Sequence, residues 1–169
     1  MRETSPSGRG PGAAKHPRSC HERALGLLAV RPRARRELER RLLAAGFEVD
    51  EVDDVLARLE RVGLIDDESF ARQMADHQFG SRRAGRRAVT SVLLAKGIAP
   101  ELAARVAEDA PDAEHDRALE LARSRVGRLT GVEPVKAFGR LTSLLVRRGY
   151  APDVARSAAR RALEVDDED

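Results

Sequence analysis

A leucine-rich segment that ends at a glycine occurs three times in this chain and constrains the fold more than any other feature. The three versions read RRLLAAGF, SVLLAKGI and TSLLVRRGY, and their glycines are Gly46, Gly97 and Gly149. The first two glycines are 51 residues apart and the last two are 52 apart. A common period of this length is typical of stacked helical units. The sequence therefore predicts an all-α fold, an elongated array of three tandem three-helix repeats.

Hydrophobic residues recur at fixed distances before and after these glycines. The matched sets are Leu38, Val89 and Leu141, then Leu42, Leu93 and Leu145, and after the glycine Phe47, Ile98 and Tyr150. Their spacing predicts a helix with one buried face. A glycine directly after such a helix favours a left-handed residue that ends it.

Proline and aspartate mark the other helix boundaries. Pro32 ends the first helix, Pro100, Pro134 and Pro152 open later ones, and either Asp66 or Asp67 caps the fourth. We expect a disordered basic leader at 1–19, repeats at 20–63, 64–110 and 111–163, and an acidic tail at 164–169. Met74, Phe70 and His77 are expected on the buried side of the fourth helix.

Composition excludes several classes of protein. Only 3% of residues are aromatic, so Leu, Val and Ala must build the core. No segment approaches the roughly 20 apolar residues of a membrane span, and the N-terminus lacks the apolar run of a secretory signal. A single cysteine, Cys20, suits a reducing cytosol. These features predict a cytoplasmic protein.

Catalytic and metal-binding patterns are not evident in the sequence. The histidines share no ligand spacing, and no glycine-rich phosphate loop is present. A run of acids follows Gly63, but acids at a helix start already have a structural explanation. We therefore predict no enzyme activity, no cofactor and no metal. The residues considered are His16, His21, His77, His115, Asp66, Asp67 and Glu68.

Arginine is the residue type most suggestive of function. All but three of the 31 basic residues are arginine, either because its planar fork grips phosphate and carboxylate or because of a coding bias. The second helix of every repeat carries a group of them, and stacking would align the groups as a basic stripe that fits a polyanion or an acidic protein. The alternative is that they only solvate charged helices. The candidates are Arg82, Arg83, Arg86, Arg87, Arg33, Arg35, Arg36, Arg147 and Arg148.

Two segments resemble the RecX family of regulatory proteins. The first is ALGLLAVRPRARRELERRLLAAGFEVDEVDDVLARLERVGLIDDESFARQ, in which GLIDDESFA is most specific, and the second is the arginine-rich SRRAGRRAVTSVLLAKGI. The likeness covers roughly residues 20–163. It implies a helical modulator that binds the RecA recombinase filament and inhibits its strand-exchange, ATPase and coprotease activities, and so modulates DNA repair and the SOS response.

The same resemblance implies where the partner is contacted. The candidate arginines would touch the RecA filament or DNA phosphate, with single- or double-stranded DNA bound directly or through the filament, and the protein would act as a monomer. Two other readings remain open. One is a DNA-binding protein of helix-turn-helix type, although third helices such as EVDEVDDVLARLE begin acidic and fit a groove poorly. The other is a helical scaffold that binds only proteins.

Overall fold

Nine α-helices make up most of the computed structural model, which describes residues 19–108 and 114–164. No strand occurs within those two ranges. A single 3₁₀ turn follows α7 at Gly127–Leu129. The helices are α1 (Cys20–Val30), α2 (Arg35–Leu43), α3 (Val49–Arg61), α4 (Asp67–Gly80), α5 (Arg86–Lys96), α6 (Pro100–Glu108), α7 (Glu114–Val126), α8 (Pro134–Arg147) and α9 (Pro152–Glu164). The predicted all-α array of three-helix repeats is confirmed.

Each repeat buries its own apolar core. Repeat one comprises α1–α3, repeat two α4–α6 and repeat three α7–α9, and the extensively packed helix pairs all lie within a repeat. Cores of leucine, valine and alanine follow from the shortage of aromatic residues. Ala34 is an exception to this separation, because it precedes α2 and yet packs into the core of repeat two. The repeats therefore meet through narrow contacts.

The second helix of each repeat ends as the sequence predicted. Gly46, Gly97 and Gly149 have φ angles of +92°, +92° and +89°, in the left-handed region. The leucine four residues before each glycine is fully buried, at 0% exposure in Leu42, Leu93 and Leu145. We call α2, α5 and α8 the second helices.

Several local expectations differ from the structure. Cys20 is fully buried and opens α1, a structural role that was not expected of it. Ser19 and Glu22 form a capping box there, a Ser-x-x-Glu pattern that the sequence analysis missed. His77 was expected inside and is exposed. The rest of the leader (1–18) and the tail after residue 164 lie outside the described residues, and the repeat boundaries stay predictions.

The second helices follow one another end to end. At the start of α5, the Gly85 N–H donates to the Arg148 carbonyl (2.8 Å) and the Arg87 N–H to the Gly149 carbonyl (3.2 Å), so α5 begins where α8 ends. We call this contact the second junction. The first junction joins the end of α5 to the start of α2, where a Cβ on Gly97 would lie 3.1 Å from the Arg36 Cβ.

Each junction also supplies a helix cap from the next repeat. Neither α2 nor α5 has a side-chain cap of its own. Instead, Asp67 accepts from the Arg35 N–H (2.8 Å) and Glu114 accepts from the Arg86 N–H (3.0 Å). In repeat three, Glu133 caps α8 within its own repeat. The sequence left Asp66 and Asp67 as alternative caps, whereas both cap a helix: Asp66 caps α4 and Asp67 caps α2.

The Asp67 cap gives a stability prediction. Replacing Asp67 with alanine leaves the Arg35 N–H without its acceptor, and we expect a loss of about 1 kcal/mol in the free energy of unfolding. The matched control is Asp67→Asn, which keeps an acceptor oxygen.

The contribution of Asp67 to stability should depend on pH. Burial raises the pKa of Asp67, against the opposing effect of the Arg35 N–H. The Asp67 side chain therefore stabilises the fold most below the ordinary pKa of an aspartate, and this stabilisation falls as pH rises through the pKa of the folded state. At neutral pH the Asp67→Asn variant should therefore be at least as stable as the wild type, with an equal or higher urea concentration at its unfolding midpoint. A urea titration of Asp67→Ala and Asp67→Asn checks both expectations.

Candidate functional site

The candidate arginines divide into buried or ion-paired side chains and exposed, unpaired ones. This division decides which of them can meet a partner. An arginine already held by a carboxylate has part of its charge balanced and fewer of its five N–H donors left for a partner.

Arg33 and Arg35 belong to the first group. Arg33 is only 7% exposed, forms a buried ion pair with Glu37 and donates from Nε to the Leu27 carbonyl (3.0 Å). Arg35 pairs with Asp53 (3.3 Å) and Glu60 (3.2 Å) on α3. Arg33 is therefore held by contacts within its own repeat, and its contact with a partner stays a prediction.

Repeat three places acids beside the arginine cluster of repeat two. Along the sequence the cluster at 82–87 contains no acid. In the fold, Glu120 pairs with Arg83 (2.9 Å), and Glu114 lies 3.5 Å from the Nε of Arg86 while capping its backbone. Arg83 and Arg86 therefore hold the second junction together.

The loop before α5 is fixed by side chains of repeat three. Arg83 has φ +47°, which makes it a left-handed residue other than glycine. Its carbonyl accepts from the buried Tyr150 hydroxyl (3.0 Å), and the Arg82 carbonyl accepts from the Arg148 guanidinium (2.7 Å). The Arg117 guanidinium lies 4.5 Å from the centre of the Phe79 ring across the same junction. Burial raises the pKa of Tyr150, which keeps its hydroxyl protonated as the donor.

Four candidate arginines remain exposed without a side-chain partner among residues 19–108 and 114–164. They are Arg36, Arg82, Arg87 and Arg147. Arg148 is also exposed, and its guanidinium donates to the Arg82 carbonyl. The second junction thus brings Arg82 and Arg87 together with Arg147 and Arg148, although 60 or more residues separate the two pairs along the chain.

Two shallow basic grooves extend this charge along the second helices. One, of about 430 Å³, lies at the first junction and combines residues of α2 with the end of α5. The other, of about 490 Å³, runs along α8 from Lys136 to Arg147. Basic groups therefore occur along all three second helices. The first groove is lined by Arg31, Glu37, Arg40, Arg41, Ala44, Ala95 and Lys96.

The described ranges offer little support for a metal site, a reactive cysteine or a membrane-spanning helix. No group of three or more His, Cys, Asp or Glu there could hold a metal ion. Burial, reinforced by the Glu51 charge, raises the pKa of the Cys20 thiol, which opposes nucleophilic chemistry. Among the described residues, no helix is both long and apolar enough to cross a membrane.

Comparison with known proteins assigns the family. Residues 20–59 match a model of the first three-helix domain of RecX, and residues 66–106 match a model of the second. A regulatory protein RecX from Mycolicibacterium smegmatis is 40% identical over 151 residues, which cover 84% of this chain and 80% of that protein. The chain belongs to the RecX family. A RecX protein from Amycolatopsis mediterranei is 32% identical over 86% of this chain and 84% of its own length.

The fold is shared with a solved structure of the same family. The crystal structure of RecX from Lactobacillus salivarius superimposes with a TM-score of 0.79 and covers 85% of this chain and 94% of that one. Only 19% of the aligned residues are identical, so this likeness concerns the helical architecture alone. The resemblance predicted from the sequence is confirmed, and the relatives carry the name of regulatory proteins.

Proposed function

We propose that this RecX-family chain binds the RecA nucleoprotein filament in the cytoplasm and inhibits its recombinase, ATPase and coprotease activities without any catalysis of its own. Such inhibition would modulate DNA repair and the SOS response. Membership of a family of regulatory proteins supports a regulatory role. The observation that carries the proposal is that the second junction gathers Arg82, Arg87 and Arg147, whose side chains form no ion pair within the described residues. The acids at that junction, Glu114 and Glu120, pair with Arg86 and Arg83 instead.

The arrangement of these groups suits a long anionic partner. Unpaired guanidinium groups lose no existing ion pair when they meet phosphate or carboxylate, and they accept both in a two-point geometry. Because basic side chains occur on α2, α5 and α8, several weak contacts can form at once, and linked contacts gain from a high effective concentration.

Reading of base sequence through a helix-turn-helix is less favoured. A recognition helix carries donors such as Arg, Asn or Gln toward base edges. The first turns of α3 instead expose Asp50, Glu51, Asp53 and Asp54, and these carboxylates would face the phosphates that flank a groove. Binding to duplexes of different sequence should therefore differ by less than about tenfold, whereas a recognition helix gives differences of ~10³ or more.

Reversing the two central charges tests the proposal. We expect Arg82→Glu with Arg87→Glu to raise the concentration needed for half-inhibition of RecA ATPase on single-stranded DNA by about tenfold or more, because two attractive contacts become repulsive. Both side chains are exposed and unpaired in the described ranges, so folding should be unchanged. The assay uses the chain below the molar amount of RecA.

The matched control is Arg156→Glu with Arg160→Glu on α9, which changes the net charge equally at two other exposed positions. We expect this variant to inhibit within about twofold of the wild type. Equal inhibition by both double variants would remove Arg82 and Arg87 from the mechanism. Failure of the wild type to inhibit at all would refute the proposed function.

Direct contact with DNA is measured separately. If the chain itself neutralises phosphates, the logarithm of its affinity for duplex DNA should fall with the logarithm of salt concentration, with a slope near −0.9 for each phosphate. A scaffold that binds only protein gives no such DNA affinity.

A further inference from the structure

The second helices expose an aliphatic side chain at the same position in every repeat. Three residues before the terminal glycine stand Leu43, Leu94 and Val146, which are 36%, 43% and 42% exposed. The residue immediately before each is a leucine with 0% exposure. Each second helix therefore buries one aliphatic side chain completely and leaves its neighbour about two-fifths open to solvent.

A single exposed aliphatic residue would carry no inference. Protein surfaces commonly contain such residues, and this chain has others, including Val30 and Val62. The three second-helix residues differ because they share one register across repeats of 51 and 52 residues. The adjacent leucines already fill the core of each repeat, so packing within the repeat does not explain why an aliphatic residue occupies the exposed position.

An unpaired arginine lies on the same face of two of these helices. Arg36 precedes Leu43 by seven residues and Arg87 precedes Leu94 by seven. Seven residues make about two helical turns, so each pair lies on one face about 10 Å apart. In repeat three the corresponding position is Gly139, and the exposed Arg140 follows it.

The junctions bring these units into one series. Val146 lies less than one helical turn before Gly149, whose carbonyl accepts from the Arg87 N–H. Leu94 lies equally close to Gly97, which approaches the Arg36 side chain. The order along the second helices is therefore Val146, Arg87, Leu94, Arg36 and Leu43, in which aliphatic and cationic groups alternate.

Leu94 also borders an open surface groove. A shallow groove of about 410 Å³ between α5 and α6 is lined on the α5 side by Arg86, Arg87, Thr90, Ser91 and Leu94, and on the α6 side by Ala104, Ala107 and Glu108. Its walls therefore combine apolar groups with two guanidinium groups and one carboxylate. Because the basic groups outnumber the acid, a bound surface there would gain from an apolar contact beside a carboxylate.

This chemistry distinguishes a protein partner from a nucleic acid. Duplex DNA presents a continuous phosphate surface on which an exposed leucine gains little, and single strands are held by aromatic stacking. The repeated unit has aliphatic side chains and no aromatic ring. A polymer of identical protein subunits, each with an acidic group beside an apolar patch, matches a unit that recurs in each repeat.

We infer that Leu43, Leu94 and Val146, with Arg36 and Arg87, form a repeated docking surface for successive protein subunits of a filament. This inference rests on the proposed function and deepens it, because it assigns the second-helix faces to the protein component rather than to DNA. Each repeat makes one weak contact, and the contacts reinforce one another when the subunits are joined in a polymer.

The test measures binding of fluorescently labelled chain to RecA filaments formed on single-stranded DNA, and to the same DNA alone. We expect Leu43→Ser, Leu94→Ser and Val146→Ser together to weaken filament binding about tenfold or more, since three partly exposed aliphatic groups lose their burial. Affinity for DNA alone should stay within about twofold. Leu94→Ser by itself should weaken filament binding about two- to threefold. This single variant tests the same surface with less risk to folding than the triple variant.

A matched control combines Leu25→Ser, Val62→Ser and Leu64→Ser, again two leucines and one valine, at exposed positions outside the second helices. It should bind the filament like the wild type. Leu43→Met, Leu94→Met and Val146→Met together keep apolar side chains at the three positions and should retain binding. Equal filament affinity of the two serine triples, with a wild type that does bind, would overturn only this inference. A wild type that binds no filament would refute the proposed function and the inference with it.

Discussion

Alanine in place of Gly149 is expected to destabilise the protein by about 3 kcal/mol, with a fall of roughly 10 °C in the unfolding temperature. Two costs combine at this position. The residue has φ +89°, which costs a side chain about 1 kcal/mol or more. An added Cβ would also overlap the Cβ and backbone nitrogen of Ala88 across the second junction. Backbone atoms cannot yield as a flexible side chain can.

The three repeats provide matched controls for this prediction. Gly46 has the same register and φ +92°, but a Cβ there would meet no atom within 4 Å, so Gly46→Ala should cost only about 1 kcal/mol. Gly97 is intermediate, with the Arg36 Cβ at 3.1 Å. Unfolding measurements should therefore rank the variants in the order Gly46, Gly97, Gly149. Equal losses at all three positions would mean that the second junction is not closely packed.

The Glu37 site gives the second large effect. Glu37 lies on α2, is only 8% exposed, and pairs through Oε1 with Arg31 (2.7 Å), Arg41 (3.0 Å) and the buried Arg33. Replacement by glutamine leaves the Arg33 guanidinium buried without a countercharge, and we expect a loss of about 3 kcal/mol at neutral pH. Glu39→Gln is the matched control, because that carboxylate is two residues away and has no ion pair within the described ranges. It should change the free energy of unfolding by less than about 0.5 kcal/mol.

The stabilisation from Glu37 should depend on pH in a defined direction. Burial raises the pKa of Glu37, but hydrogen bonds from Arg41, Arg31 and Arg33 outweigh burial and hold the pKa below its ordinary value of 4.5. A carboxyl group with a lowered folded pKa stabilises the fold fully above its unfolded pKa and loses that contribution as pH falls through the folded value. The difference in unfolding free energy between wild type and Glu37→Gln should therefore be constant near neutral pH and shrink below about pH 4.5. A difference that grows in acid would contradict this network.

The paired and unpaired arginines show how far the sequence could predict the candidate site. Arg82, Arg83, Arg86 and Arg87 are equivalent by sequence, since all lie in one acid-free cluster. In the fold Arg83 and Arg86 pair with acids of repeat three, whereas Arg82 and Arg87 form no ion pair with any residue that the structure describes. No local pattern distinguishes the two kinds, because ion pairing depends on which distant helix comes near.

The burial of Arg33 could not be predicted from the sequence either. Its neighbours Arg35 and Arg36 are basic as well, and the run RPRARRELERR gives no sign that one guanidinium is buried. Glu37 four residues later was visible as a possible helical partner of Arg33. Convergence of Arg31, Arg33 and Arg41 on that one carboxylate depends on how the chain turns before α2.

The sequence by itself determined the number and type of the helices, their glycine ends, their buried leucines and the family. These features are local, because helix periodicity, proline and left-handed glycine act over a few residues. Tertiary structure alone decided that Asp67 and Glu114 cap helices of the preceding repeat, that Gly149 lies against Ala88, and which arginines remain exposed. Those properties join residues about 30 to 60 positions apart, and only the packing of one repeat on the next sets the distances between them.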